Sequence, residues 1–373
     1  MSTLLVQPVS NPGEKKLFID LPWTLYRGDA NWVPPLKRNE EELVGFRPHP
    51  FYKRNQAQAF LAYRDGKACG RIVAILNHHH NEHWRERRGF WGFFECTDDQ
   101  EAASALLDAV RDWFAAQGIH QLRGPANPAL HYGLGLLTEG FDSPPTFLMP
   151  YNPSYYPRLI ETWGFRKAQD LHAYYGHRRQ LPQSTARFQP LAEQIVARYN
   201  IRLRTLQRKR FRQDVEDFVS IYNRALPDHW GFVPMTAEEV QHIAKGLRWL
   251  IVPELAVAAE IDGRLVGVVL ALPDYNVRLR QINGRLFPFG FFRLLWNKRA
   301  IKKVRVAAVY VLPEYRLMGV GLVLLRALVP KALEWGMEES EYSWVAESNQ
   351  LSRGALEKGG AQRIKSYRVY DWP

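Results

Sequence analysis

Residues 316–321 read Arg-Leu-Met-Gly-Val-Gly, and they stand between a strand-like run, Val304 to Val311, and a leucine-rich helical run. Two glycines let the backbone approach a ligand without a Cβ in the way. The N–H groups of a helix's first turn have no partner within the helix, and they point at whatever lies before it. The order of strand, glycine turn and helix therefore predicts an anion site, for which a pyrophosphate is the natural occupant. The alternative is an ordinary tight connection, since short glycine patterns recur by chance.

The length and composition of the chain indicate two domains. The 373 residues, 46% of them hydrophobic, suffice for two cores in domains of about 190 residues each. Cys69 and Cys96 are too few for a disulfide framework or a cysteine-built zinc site. The N-terminal residues lack the pattern of a secretory signal, and no run approaches the roughly eighteen apolar residues of a membrane span. We therefore expect a cytoplasmic protein.

The net charge of +12 favours anionic partners such as phosphorylated cofactors, nucleic acid or acidic lipid surfaces. Basic residues are dense at 208–212 and from Arg293 to Arg305. Neither patch resembles a zinc finger, a KH loop or the aromatic motif of an RNA-recognition domain. Nucleic acid is therefore a secondary expectation, and nothing in the sequence sets the oligomeric state.

The two halves of the chain show the same pattern. The hairpin signal Asp65-Gly66-Lys67 recurs 197 positions later as Asp262-Gly263-Arg264. Near the ends of the halves, three residues recur at a shift of 196: Glu161, Gly164 and Tyr174 match Glu357, Gly360 and Tyr370. A shared shift at two distant places indicates duplication. We expect two α/β domains, 1–178 and 201–373, each with a mixed, mostly antiparallel sheet flanked by helices, joined by a linker at 179–200.

The second half resembles the GNAT superfamily of acyl-CoA-dependent N-acetyltransferases. That family's signature is Q/R-x-x-G-x-G/A at the start of its main helix, and Arg316, Gly319 and Gly321 satisfy it after the usual V-x-P-x-Y, here 311–315. A second family feature, an asparagine followed by a helix and a glycine turn, runs from Asn349 to Gly360. The resemblance covers residues 200 to 373 by motif and residues 1 to 178 by framework only.

The resemblance implies an acetyl-CoA site in the second half. Backbone N–H groups of the glycine turn would bind the pyrophosphate, with the Arg316 side chain adding charge. Backbone groups of Val309 and Val311 would pair with the pantetheine arm as an added strand would, and Asn349 would contact the cofactor near its thioester. The implied cofactor-binding residues are Val309, Val311, Arg316, Leu317, Met318, Gly319, Val320, Gly321, Leu322 and Asn349.

The catalytic groups are less well defined by the sequence. Many family members carry a tyrosine after the asparagine as the acid for the departing thiolate, whereas this chain has Leu356, which cannot donate a proton. The acid would then be Tyr310, Tyr367 or Tyr370, or would come from solvent. Glu347 and Glu260 are the candidate bases, although a strand glutamate is more often a solvated surface residue.

The first half has no second cofactor site in this interpretation. Its corresponding junction carries Glu95, Asp98 and Asp99, which would repel a pyrophosphate. Asp98 or Asp99 is instead a good helix cap, worth about 1 kcal/mol. One cofactor per chain is therefore expected, with the first half retained for packing or as a wall of the substrate cleft.

Three further segments invite hypotheses. The histidines of 78–83 suggest a metal, but consecutive side chains diverge and a solvated loop is the better interpretation, so no metal site is predicted. Residues 228–232, Asp-His-Trp-Gly-Phe, lie where this superfamily borders its acceptor pocket. Residues 276–303 interleave apolar and basic side chains. This insertion could lie on an anionic membrane, although capping the acceptor site or docking on the other half is preferred.

The expected function is transfer of an acetyl group from acetyl-CoA to a primary amine, on a small molecule or a peptide, by direct attack. An aminoacyl-tRNA-dependent transferase is one alternative, because the basic surface would suit tRNA. A non-catalytic module that binds coenzyme A is the other, because Leu356 occupies the usual tyrosine position. No motif identifies the acceptor.

Overall fold

The computed structural model of the chain describes residues 2–373. The strands of the first half are β1 Leu4–Pro8, β2 Gln56–Arg64, β3 Lys67–Leu76, β4 Arg88–Cys96, β5 Gln121–Gly124, β6 Leu136–Glu139 and β7 Arg166–His177. Its helices are α1 Pro12–Leu25, α2 Lys37–Val44, α3 His78–Trp84, α4 Gln100–Ala115 and α5 Tyr156–Trp163.

The second half repeats this order of elements. Its strands are β8 Arg202–Thr205, β9 Ala256–Ile261, β10 Arg264–Pro273, β11 Lys303–Val311, β12 Glu339–Ala346 and β13 Gln362–Trp372. Its helices are α6 Leu181–Tyr199, α7 Phe211–Ala225, α8 Ala237–Leu247, α9 Asn276–Ile282, α10 Gly290–Leu295, α11 Val320–Trp335 and α12 Gln350–Lys358. The hairpins β2-β3 and β9-β10 turn at Asp65-Gly66 and Asp262-Gly263, all four with positive φ, as an Asp-Gly turn requires.

Within residues 2–373 all thirteen strands belong to one mixed, mostly antiparallel sheet. Its order is β1-β2-β3-β4-β5-β13-β7-β12-β11-β10-β9-β8, with β6 beside β13. The last strand of each half therefore lies on the other half: β13 follows β5, and β7 follows β12. The two exchanged strands pair with each other at the centre of the sheet, from Gln362 opposite Tyr175 to Asp371 opposite Arg166.

The exchange explains the repeated residues near the ends of the halves. The Tyr174 hydroxyl donates to Glu357 at 3.0 Å, and the Tyr370 hydroxyl donates to Glu161 at 3.0 Å. Each tyrosine thus reaches the glutamate of the other copy, which gives the centre of the sheet an approximate two-fold relation.

The segment expected to be a linker, 179–200, is mostly the helix α6. Ala192 is buried, and Ile195, Val196 and Tyr199 pack with it into the core of the second half. The Arg326 side chain on α11 donates to Thr185 and Gln189 of α6, which fastens the helix to its neighbour. In residues 2–373 we find no helix that is both long enough and apolar enough to cross a membrane.

Candidate functional site

A cleft opens in the second half where two parallel strands separate. Strands β11 and β12 pair only from Lys303 opposite Glu339 to Val306 opposite Tyr342. Strand β12 then continues against β7 through Val345 and Ala346. Just past Val306 the register of β11 with β10 also shifts, at Ala307, which bends the strand as bulges do. The end of β11 thus borders a cleft rather than a neighbouring strand.

The backbone groups of Val309 and Val311 face this cleft. The N–H of Leu312 donates to the carbonyl of Val266 on the neighbouring strand β10 at 2.9 Å. Because backbone groups alternate in direction along a strand, the N–H and C=O of Val309 and Val311 point away from β10. They present the strand edge that an extended amide-containing ligand can pair with.

The glycine turn lies at the end of the same strand. Pro313–Met318 form a 3-10 turn, Gly319 has φ of 81°, and helix α11 begins at Val320. A Cβ on Gly319 would lie 2.6 Å from the Ile195 Cδ1 atom, whereas one on Gly321 would meet nothing closer than 3.9 Å in the protein. Gly319 is therefore required by the fold, whereas a Cβ on Gly321 would lie at ordinary contact distance from the Val311 and Val309 side chains.

Arg316 forms structural hydrogen bonds in addition to supplying a positive charge. Its guanidinium donates to the carbonyl of Ala225 at the end of α7, and to that of Val311 at 3.4 Å. Leu317 is 91% exposed. The positive charge of Arg316 lines the cleft, next to the open N–H groups of the first turn of α11, where an anion is stabilised.

Asn349 and Glu347 stand at the end of β12 with different surroundings. The Asn349 side chain caps α12 by accepting from the Ser352 N–H at 3.1 Å, and it lines the cleft. Glu347 accepts from the Lys167 ammonium at 2.6 Å and the Asp170 N–H at 3.1 Å. Partial burial would raise the pKa of Glu347, but these donors outweigh it and hold the pKa below its usual value. Because Lys167 and Asp170 of the first half hold the Glu347 carboxylate, it is poorly placed to accept a proton from an amine.

The candidate tyrosines are also separated. Tyr310 lines the cleft, and burial raises its pKa to about 12, so its hydroxyl stays protonated and able to donate. Tyr367 is fully buried in the core of the first half, with its hydroxyl unpaired among the described residues. Tyr370 is committed to Glu161, and Glu260 forms an ion pair with Arg204 at 2.7 Å. Of these groups, Tyr310 is the one that faces the cleft.

The corresponding edge in the first half is occupied by the protein itself. The Thr97 N–H donates to the Cys69 carbonyl, so the backbone groups of Cys96 point away from β3. The Cys96 N–H donates to the Tyr156 hydroxyl at 2.9 Å, and the Tyr155 hydroxyl donates to the Cys96 carbonyl at 2.8 Å. At the equivalent positions of the second half stand Leu351 and Ser352, which leave the edge of β11 free.

The acidic junction of the first half is a helix cap. The Asp99 side chain accepts from the Ala102 N–H at 3.0 Å and pairs with Arg64 at 2.7 Å. Asp98 pairs with Arg158. These carboxylates occupy the place that the glycine turn has in the second half.

The second-half cleft opens into a cavity of about 2060 Å³ that both halves line. Its walls include the ends of β11 and β12, the loop His229–Phe232, and first-half residues such as Trp32 and Tyr132. The loop docks on the first half, because the Trp84 Nε1–H donates to the Phe232 carbonyl at 2.9 Å. The segment 228–232 therefore borders the cavity.

His131, which lines the cavity from the first half, lies beside a buried glutamate of the second half. His131 Nε2 lies 3.6 Å from Glu239 Oε1, and their side chains are 5% and 1% exposed. Neither ring nitrogen of His131 has a hydrogen-bond partner among the described residues. The Tyr132 hydroxyl also donates to Glu239, at 3.1 Å. His131 stands at the start of the glycine-rich stretch 131–140, and no local sequence signal links it to a residue 108 positions away.

Neighbouring groups stabilise the ionised form of the Glu239 carboxylate. Burial would raise its pKa, but His131 and the backbone and hydroxyl of Thr236 outweigh burial and lower the pKa to about 2. Nearby, burial and the adjacent His242 lower the pKa of His49 to about 4. At neutral pH an ionised Glu239 thus lies against the imidazole of His131, and it is the histidine that lines the cavity.

The histidine-rich segment 78–83 is part of the packing between the halves. His80 pairs with Glu86 at 2.6 Å, and His83 bonds to the Pro227 carbonyl at 2.9 Å. Among residues 2–373 no group of three or more histidine, cysteine, aspartate or glutamate side chains is arranged to hold a metal ion.

Known proteins resemble this chain in sequence and in fold. A family model, the Acetyltransferase (GNAT) family, matches residues 215–360. The chain is 34% identical to the bacterial ceramide synthase of Caulobacter vibrioides, over 99% of this chain and 97% of that protein. It is 32% identical to protein YghO of Escherichia coli K12, over 98% of this chain and 95% of that one.

Among solved structures, a tandem GNAT protein from the clavulanic acid biosynthesis pathway superposes with a TM-score of 0.54. It is 12% identical, with 99% of this chain and 98% of that chain covered. That likeness concerns the fold, and it shows the same two-domain arrangement. With its motifs, its open cleft and relatives matched over their full length, the chain belongs to the GNAT superfamily of acyl-CoA-dependent N-acyltransferases.

Proposed function

We propose that the chain transfers an acyl group from an acyl-CoA to the primary amine of a molecule with a long apolar chain. The observation that carries this proposal is the second-half cleft. There the free edge of β11 and the glycine turn of α11 stand together at the wall of a cavity of about 2060 Å³.

The donor fits the cleft by charge and shape. The first turn of α11 and Arg316 suit the pyrophosphate, and Val309 and Val311 offer the strand edge for the pantetheine amides. The space beside Gly321, 3.9 Å from the nearest protein atom for a Cβ, admits the phosphate. One cofactor per chain is proposed, because Tyr155 and Tyr156 close the corresponding edge in the first half.

The size of the cavity favours apolar substrates. Ligand sites commonly have volumes of roughly 300–1,000 Å³, and this cavity of about 2060 Å³, which includes the donor cleft, leaves room for apolar chains beside the coenzyme. The name of the Caulobacter relative supports the same class, because a ceramide is the amide of a fatty acid with a long-chain amino alcohol. Acetyl-CoA is the donor expected from the sequence, and the cavity extends the proposal to longer acyl chains.

Two side chains are assigned to proton transfer. The neutral amine must lose a proton as it bonds to the acyl carbon, and we assign His131, whose Nε2 lies 3.6 Å from Glu239, to accept it. Tyr310, with its raised pKa, donates a proton to the departing thiolate. The base comes from the first half and the acid from the second, which gives the duplicated chain a chemical reason to keep both halves.

An acylation assay tests the proposal. The purified chain is offered acyl-CoA donors of two, eight and sixteen carbons, with either a long-chain amino alcohol or ethanolamine as acceptor. Release of the coenzyme A thiol and the mass of the amide are measured. We expect amide formation with the long-chain amine and at least tenfold less with ethanolamine. Coenzyme A binding without turnover would favour the binding module, and salt-sensitive tRNA binding without coenzyme A binding would favour the tRNA-dependent alternative.

A graded substitution at Gly321 tests the donor site. Gly321→Val fits the protein but projects methyl groups into the proposed phosphate space, so acyl-CoA binding should weaken at least tenfold while the free energy of unfolding changes by less than about 1 kcal/mol. Gly321→Ala, which the family signature allows, should bind nearly as well. The matched control is Gly354→Val on α12, which also meets open space. Equal affinity in wild type and Gly321→Val, measured by calorimetry, would contradict the assigned donor site.

A further inference from the structure

The insertion 276–303 carries exposed aromatic side chains on its outer side. Phe287, Phe289, Phe292 and Trp296 are 67%, 70%, 67% and 74% exposed. Residues 289, 292, 293 and 296 follow the three- and four-residue spacing that places side chains on one face of a helix. On the opposite side of α10, Gly290 and Leu294 are buried. Large apolar groups this exposed are typical of a contact surface rather than of a solvated face.

Basic residues surround these aromatics, and acidic ones do not. Arg285 and Arg293 are exposed beside them, and the chain from 275 to 313 contains no aspartate or glutamate. In the described residues neither arginine has a carboxylate within ion-pair distance. We call Arg285, Phe287, Phe289, Phe292, Arg293 and Trp296 the aromatic-basic face.

The same insertion forms a wall of the cavity with its inner side. Leu279, Leu286 and Leu294 line the cavity. The segment between its two helices also reaches the first half. There the Lys37 N–H donates to the Gly284 carbonyl at 3.1 Å, and the Trp23 Nε1–H donates to Asn283 at 2.7 Å. The aromatic-basic face is thus separated from the cavity by a single layer of chain.

We propose that the aromatic-basic face docks on the surface of a bilayer that contains anionic phospholipids. Aromatic rings settle at the boundary between headgroups and acyl chains, and arginines pair with anionic headgroups. Neither the aromatic rings nor the arginines suffice for stable binding alone, but the two together give reversible attachment. This inference rests on the proposed function, since an amine with a long apolar chain resides in a membrane and would reach the cavity through the wall that docks there.

Vesicle binding tests the inference with the full-length chain. Sedimentation with phosphatidylcholine vesicles is compared with and without about 30% phosphatidylglycerol, at low and high salt. We expect at least tenfold stronger partitioning to the anionic vesicles at low salt. In the triple variant Phe289→Ser, Phe292→Ser, Trp296→Ser, partitioning to the anionic vesicles should fall about tenfold or more. The double variant Arg285→Glu, Arg293→Glu should show a similar decrease.

Matched controls lie on the first half. Leu5 is 54% exposed and Lys67 is exposed on the β2-β3 turn, so Leu5→Ser and Lys67→Glu should bind vesicles as the wild type does. Equal vesicle binding by wild type and face variants, or binding of a single-stranded RNA rather than vesicles through this face, would overturn the inference.

The outcome can be separated from that of the proposed function. Acyl-CoA binding in solution is measured on the same variants and should be unchanged, which also shows that they are folded. Normal acyl-CoA binding and amide formation with no vesicle binding would reject the membrane surface and leave the enzymatic proposal standing. Failure of the wild-type chain to bind acyl-CoA would reject the enzymatic proposal itself.

Discussion

A few side chains decide which of the two halves has an open cleft. The strands β4 and β11 both turn backbone groups away from their hairpin neighbour, at Cys96 and Val311. In the first half Tyr155 and Tyr156 bond to Cys96, and in the second half the equivalent positions hold Leu351 and Ser352, which cannot reach across in the same way. Duplicated frameworks can therefore differ in function through local hydrogen bonding, with the fold unchanged.

At His131 we predict a catalytic effect without a binding effect. His131→Asn should lower kcat about 10²- to 10⁴-fold, the usual contribution of a general base, with acyl-CoA affinity unchanged. The loss should diminish as pH rises, because the amine then loses its proton to solvent. Glu239→Gln should share the loss, and the double variant should be little worse than His131→Asn. A kcat within twofold of wild type, from steady-state kinetics, would exclude His131 as the base.

At Glu95 we predict a pH-dependent stability. Burial raises the pKa of Glu95 to about 6, although Arg71 and the hydroxyls of Tyr156 and Tyr26 oppose it. The folded state then holds the proton more tightly than the unfolded state, so this group lowers the free energy of unfolding as pH rises from about 4.5 to 6, by up to about 2 kcal/mol.

Urea unfolding between pH 4 and 8 checks this. In Glu95→Gln, this part of the decrease in the free energy of unfolding with pH should be absent. Glu314 is an exposed carboxylate, and Glu314→Gln should keep the wild-type pH profile. Identical pH profiles for wild type and Glu95→Gln would contradict the raised pKa.

At the scale of elements, the exchanged strands β7 and β13 hold the halves together. Each fills the last place in the other half's sheet, and each carries a tyrosine that bonds to the partner's helix: Tyr174 to Glu357 on α12 and Tyr370 to Glu161 on α5. A strand at the centre of a sheet has both edges paired, so the exchange leaves neither half with an open edge at the junction.

We predict equal and additive effects at these two tyrosines. Tyr174→Phe and Tyr370→Phe should each lower the free energy of unfolding by about 1 kcal/mol, a typical hydrogen-bond contribution. The sites lie about seven residues apart along the β7-β13 pair, or roughly 24 Å, so their effects should add within about 0.5 kcal/mol. Chemical denaturation of both single variants and the double variant measures this. Strongly unequal decreases in the free energy of unfolding for the two single variants would contradict the two-fold relation at the centre of the sheet.

At the scale of the whole molecule, one cavity and one sheet make the two halves a single functional unit. The open edge of β11 and the glycine turn belong to the second half, whereas His131 and Tyr132 reach the same cavity from the first. Contacts such as Trp84 to Phe232 and Trp23 to Asn283 connect the halves around the cavity.

A split chain tests this unity. Cutting between Gln180 and Leu181, at the start of α6, gives two fragments that each lack the strand supplied by the other. We expect each fragment alone to aggregate through its unpaired edge and the co-expressed fragments to form a one-to-one complex that binds acyl-CoA. Size-exclusion chromatography and calorimetry measure both properties. If fragment 181–373 alone were monomeric and bound acyl-CoA with full affinity, the exchange would not be essential.

Much of the fold could be predicted from the sequence because its signals are local. The glycine turn at 316–321, the two Asp-Gly hairpins and the mixed α/β framework depend on backbone conformations that a few adjacent residues dictate, and the structure confirms the fold class. Val309 and Val311 face the cleft for a related reason, since alternation along a strand is set by the strand itself. The sequence predicts a linker at 179–200 without indicating the helix α6, because the two prolines and the polar residues of this segment obscure the face that packs on α11.

Only the tertiary structure decided which distant residues meet. Tyr174 and Glu357 belong to the repeated residues of the two halves, but their contact across the halves follows from the strand exchange, which no local pattern encodes. Likewise Glu347 and Tyr367 proved to be committed to an ion pair and to the core, while His131 and Glu239 came together from opposite halves. The sequence by itself determined the framework and the glycine turn, because these depend on neighbours in the chain. The tertiary structure decided the composition of the cavity, because packing brings together side chains that have no relation along the chain.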